Sequence, residues 1–168
     1  MFSFAKALTT LLAVAFIGVQ AERHVVHFDN RCQRGTPTLV RRGQILSRGW
    51  DYVTDGVLDA TIAYLQTGNC GLNGEGCTTV ELTLKNPNCP GCGSSVDISM
   101  ISPYVYVLAW NGVSTGFGYY NGCDGAGANC KSFGNGPNCN TAFHGSNDNW
   151  VQVQCQNNDV NLAVTFCM

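Results

Sequence analysis

Charge is scarce in this chain: only 12% of its 168 residues are Asp, Glu, Lys or Arg. Nine basic residues against eleven acidic ones leave no dominant basic footprint, so nucleic-acid binding has no compositional support. No Asn-x-Ser/Thr sequon occurs, which removes N-linked sugar from the expectation. Helix-forming composition is lacking too, because 20 glycines and abundant asparagine favour turns over long helices. Beyond residue 21 no apolar run approaches the ~20 residues that cross a bilayer, so no membrane span is expected.

Cysteine, by contrast, is plentiful. All ten cysteines lie downstream of an apolar leader that has Lys6 near its start, an uncharged run from Ala7 to Val19 and the small-residue pattern Val19-Gln20-Ala21. Residues 1–21 read as a secretory signal peptide cut before Glu22, which places residues 22–168 outside the cell, in the extracellular space or the cell wall. Thiols oxidise there, and an even count predicts a disulfide framework of five bridges if all pair. The 147 residues left suit one domain with a real core, carrying 8 basic against 11 acidic residues. Six of those eight basic residues fall between Arg23 and Arg48 and read as arginines on a solvated hairpin, with a local patch for an anionic partner as the alternative.

Apolar residues alternate with a period of two over His24–Phe28, Thr61–Leu65, Thr78–Leu84, Val96–Met100, Val151–Gln154 and Val160–Phe166. Turn-rich pieces such as Asn73-Gly74 and Asn121-Gly122 separate them. The expected fold is therefore all-β, an antiparallel β-sandwich or flattened barrel stapled by disulfides. The run Tyr104–Trp110 fits a strand covered on both faces, or a short buried helix. Strand alternation puts Val80, Leu82 and Leu84 on one face and Glu81 on the other, and sets Asp97 opposite Val96, Ile98 and Met100 in the same way. If these strands are neighbours, the two like charges can meet across the ladder and the pKa of at least one rises; the competing reading, favoured on the residues alone, is two unrelated solvated acids.

In order along the chain, Phe28-Asp29-Asn30-Arg31-Cys32, Gln66-Thr67-Gly68-Asn69-Cys70 with Cys77, Val80–Leu84, Val96–Ser99, Gly122-Cys123 with Cys130, Val151–Cys155 and Asn161–Cys167 resemble the thaumatin-like family, in particular its small secreted fungal members. The resemblance covers most of residues 24–167 and implies one thaumatin-like domain over residues 22–168. It implies the pairs Cys32–Cys167, Cys70–Cys77, Cys123–Cys155 and Cys130–Cys139, and leaves Cys89 with Cys92. In Cys89-Pro90-Gly91-Cys92 a redox centre would need a low-pKa thiolate at a helix N-terminus; no helical pattern follows, so a local structural bridge is expected.

The resemblance further implies an acidic cleft that recognises β-1,3-glucan-type cell-wall polysaccharide. Glu81 and Asp97 fall on two of the cleft's acidic positions, and Asp148 is a candidate third; Ser102 stands where another aspartate is expected, and Gln66 precedes Thr67-Gly68 where the family's arginine cannot be placed. Tyr104 and Tyr106 are candidates for stacking on sugar rings, as are Trp110, Phe117, Tyr119 and Tyr120, with core packing the competing role. Glycoside hydrolysis needs a protonated and an ionised carboxyl, for which Glu81 as acid with Asp97 or Asp148 are the candidates. A partial cleft favours binding without strong catalysis, with a weak endo-β-1,3-glucanase or a structural or elicitor-type surface protein as the alternatives. A monomer is expected, and neither cofactor nor metal: His24 and His27 point to opposite strand faces, and a copper site with an N-terminal His24 would need cleavage after Arg23.

Overall fold

A computed structural model describes residues 21–101, 113–131 and 139–168. Residues 1–20 of the expected leader 1–21, the run Tyr104–Trp110 and position Ser102 lie outside the described residues. The remainder is all-β, with two sheets, no α-helix among the described residues and one three-residue 3₁₀ turn. No helix there is long and apolar enough to cross a membrane.

The first sheet has five strands: β1 (Arg23–Asn30), β4 (Tyr52–Asp55), β8 (Thr115–Tyr120), β9 (Gly127–Cys130) and β12 (Asn161–Phe166), in the order β4-β1-β12-β8-β9. The second has seven: β2 (Thr36–Arg41), β3 (Gln44–Ser47), β5 (Leu58–Gln66), β6 (Thr79–Leu84), β7 (Ser94–Ser99), β10 (Ala142–Phe143) and β11 (Val153–Cys155). Their order is β10-β7-β6-β5-β2-β3, with β11 also on β7. One face of each sheet turns inward, so Val26, Leu162 and Val164 from the first share a core with Leu39, Val80, Leu82, Val96 and Ile98 from the second. Phe28 stacks on Phe166 with ring centroids 6.4 Å apart.

The ladders are mostly antiparallel, with two corrections to that expectation: β1 runs parallel to β12, and β10 parallel to β7. A parallel pair needs a long crossover, and between β1 and β12 nearly the whole chain supplies it. Their ends thus lie side by side, with Asn30 opposite Phe166, and the bridge Cys32–Cys167 closes just beyond with a Cα–Cα distance of 5.0 Å. The other pairs are Cys70–Cys77, Cys89–Cys92, Cys123–Cys155 and Cys130–Cys139, as the resemblance and the local reading implied. Strand β7, not a helix, follows Cys92.

The β2–β3 hairpin turns at Arg42 and Gly43, both at positive φ (50° and 78°), the backbone of a tight hairpin turn. Its arginines are solvated and partnered: Arg41 and Arg42 both reach the Asp59 carboxylate, so they form no open anion patch. A further correction concerns Val151–Gln154. Its first part is the 3₁₀ turn Asn149–Val151, and the strand begins only at Val153.

Candidate functional site

Strands β6 and β7 are neighbours, and Glu81 and Asp97 are direct cross-strand partners in their ladder. The row continues to Ile62 on β5, opposite Glu81. Above it opens a hollow of about 380 Å³ lined by residues including Ala60, Ile62, Glu81, Asp97 and Gln152. The floor is shaped by a β-bulge between Leu58 and Thr61, where Ala60 takes a φ of 46°. Such a bulge bends its strand and increases the local twist.

The two acids differ in environment. Glu81 is partly exposed, whereas Asp97 retains 7% of its surface and its Oδ1 has no hydrogen-bond partner among the described residues. Burial pushes the Asp97 carboxyl up to about 7, the Glu81 charge adds to this, and the Gln152 amide partly offsets it. No Lys or Arg among the described residues lines the hollow to counter the acids. Sequence reasoning gave the proton-carrying role to Glu81; the group that holds its proton through burial is Asp97.

Strand β11 pairs with β7 as far as Val96, and β10 takes over at Ile98, so Asp97 sits where the edge partner changes. Gln152, immediately before β11, reaches the hollow from this edge. Gln152 was missed, although the alternation Gln152, Gln154 in a strand-like run carried a usable signal.

Other candidates fall elsewhere. Asp148 does not line the hollow: its Oδ2 accepts hydrogen bonds from the His144 and Gly145 amides at 2.9 and 3.0 Å. Tyr104, Tyr106 and Trp110 lie outside the described residues. Phe117 and Tyr119 are core residues, and the Tyr119 hydroxyl donates to Val153 O at 2.9 Å. Gln66 braces its own loop, its Oε1 accepting from the Gly68 and Cys70 amides. His24 is fully buried, with Nδ1 donating to Val160 O at 2.6 Å, while His27 faces outward beside Asp51. Among the described residues no group of three or more His, Cys, Asp or Glu gathers as a metal site.

A larger hollow of about 710 Å³ lies on the outer face of the five-stranded sheet, over Gly116, Gly118, Ala163 and Thr165. It is roomier, but no Asp or Glu among the described residues lines it.

No protein-family model matches this chain, and no curated protein sequence matches it. What the site can do therefore rests on its geometry. A protonated carboxyl donates one hydrogen bond, an ionised one accepts several, and an amide does both. Together on one concave face these groups suit a neutral, hydroxyl-rich ligand.

Proposed function

We propose that this chain is a secreted, monomeric, thaumatin-like protein that binds β-1,3-glucan-type cell-wall polysaccharide through the Glu81–Asp97 hollow, without strong catalysis. The observation that carries this reading is the Glu81–Asp97 pair, joined across the ladder and lining one hollow together with Gln152. The groups that a ligand hydroxyl can reach are the partly exposed Glu81 carboxylate and the exposed Gln152 side chain, while Asp97 Oδ1 is enclosed. Five disulfides support an oxidising destination, and the order of motifs from Phe28 to Cys167 supports the family.

The incomplete acid set, with Ser102 where the resemblance expects an aspartate, favours binding over hydrolysis. The two acids stand on one sheet face, where directly opposed Cβ atoms are about 4.5–5.5 Å apart, close to the carboxyl separation of about 5–5.5 Å in retaining glycosidases, so weak endo-β-1,3-glucanase activity is the second reading. A sugar laid over them meets both from the same side. Sedimentation with insoluble β-1,3-glucan tests the proposal: the wild type should be retained, and Glu81→Ala and Asp97→Ala should each lose most of that retention. A wild type that binds no wall polysaccharide overturns it.

A further inference from the structure

The connection from β10 to β11 leaves the seven-stranded sheet at Phe143, opposite Ser99, and rejoins it at Val153, opposite Val96. Its two ends thus bracket Asp97 on the edge of β7. Near the returning end, Gln152 lines the acid hollow. Two residues earlier stands Trp150, 75% exposed, the most exposed of the large apolar side chains among the described residues. Two residues span at most about 7 Å of chain, so the Trp150 backbone lies within that reach of Gln152, at the rim of the hollow.

This rim is braced. The Asp148 carboxylate collects the His144 and Gly145 amides, Val151 N donates to Asp148 O at 3.1 Å, and the Val151 side chain is buried beneath. The His144 ring donates from Nε2 to Cys139 O at 2.6 Å, tying the loop to the Cys130–Cys139 bridge. Asp148, a sequence candidate for ligand contact, is instead a positioning residue for this loop. An indole left in water forgoes the burial of one of the largest apolar surfaces a side chain offers, and a preordered aromatic face loses little freedom on receiving a ligand.

We infer that Trp150 is a stacking subsite for the apolar face of a pyranose ring adjoining the sugar held over Glu81 and Asp97. The ligand is accordingly a chain of at least two linked neutral sugars, with hydroxyls turned to the acids and a C–H face turned to the indole. This rests on the glycan reading above. The chemistry is complementary at both points: carboxyls and the Gln152 amide for the polyol edge, a flat π-surface for the C–H face.

Intrinsic fluorescence during titration with a β-1,3-linked gluco-oligosaccharide reads the subsite directly. A Trp50→Phe background removes the other exposed tryptophan among the described residues, which is 58% exposed. Emission should shift to the blue on binding, Trp150→Ala should abolish the shift and weaken binding by about tenfold, and Trp150→Phe should recover most of the affinity. Because the side chain is exposed, the Tm of Trp150→Ala should match the wild type, separating lost stacking from lost fold. If Glu81→Ala abolishes binding while Trp150→Ala leaves affinity and spectrum unchanged, the subsite falls and the glycan reading stands. If Trp150→Ala abolishes binding while Glu81→Ala and Asp97→Ala do not, the acid hollow falls and the indole stands as a site of its own. A wild type that binds no oligosaccharide overturns both.

Discussion

Asp97 lies where a carboxylate is costly, and that cost has a sign in pH. In the folded protein its carboxyl keeps a proton up to about pH 7, because burial and the Glu81 charge oppose ionisation, against an ordinary value of 3.8 in the unfolded chain. Between these values the folded state holds the extra proton. Stability is therefore fullest at the acid end of this window, falls as pH rises through it, and levels off above about 7. The expected loss is on the order of 2–4 kcal/mol. The carboxyls of Asp59, Glu75 and Asp159 are held below the ordinary range by hydrogen bonds from the Arg41 side chain, the Asn73 side chain and the Arg23 amide respectively. They act in the opposite sense, losing their contribution as pH falls through the acid end. Melting curves across the window should show the wild-type Tm declining by several degrees and that of Asp97→Asn nearly flat; an equal decline in both would remove Asp97 as the cause.

At the scale of elements, the bridges differ in the length of chain they close. Cys32–Cys167 has a sequence separation of 135 and ties the ends of the parallel pair β1 and β12, whereas Cys70–Cys77 has a separation of 7 and closes a local loop. Chain entropy assigns about 5 kcal/mol to the first and about half as much to the second. Chemical denaturation of the two double-serine variants should therefore show the larger loss for Cys32→Ser/Cys167→Ser. Equal losses would mean that local packing, rather than loop length, sets the contribution. Strand β8 illustrates what the elements hide from a reader of sequence. In Thr115-Gly116-Phe117-Gly118-Tyr119-Tyr120 the inward residues are Phe117 and Tyr119, but the glycines between them supply neither polarity nor bulk, so the period of two is faint. Gly127 on neighbouring β9 is held to glycine for a steric reason, since a Cβ there would meet Phe117 O at 2.1 Å. The short strands β3, β4, β9 and β10 were likewise illegible, because two to four residues carry too little periodicity to separate them from turns.

For the whole molecule, the electrostatic character bears on the partner. A chain with so few charges, and with Arg41 and Arg42 engaged by Asp59, has little long-range field to recruit a charged polymer. Binding to a neutral polysaccharide proceeds through hydrogen bonds and stacking, which salt does not screen. Retention on insoluble β-1,3-glucan should change by less than about twofold between low salt and molar salt, where the Debye length falls to about 3 Å. A steep fall with salt would point to a charged partner and against the neutral-glycan reading.

The amino-acid sequence by itself determined the all-β class and the non-core placement of Glu81 and Asp97, because Cβ alternation along an extended strand is a local steric fact that neighbouring strands do not alter. It also determined that ten cysteines could pair without remainder. Tertiary structure alone decided the register that sets Glu81 opposite Asp97, since a slip of one residue would have turned one acid to the other face. It decided as well that Asp97 is buried while Glu81 is partly open, and that the Trp150 side chain is exposed. Those outcomes depend on where β10 and β11 meet the edge of β7, a long-range packing arrangement that no local pattern of residues encodes.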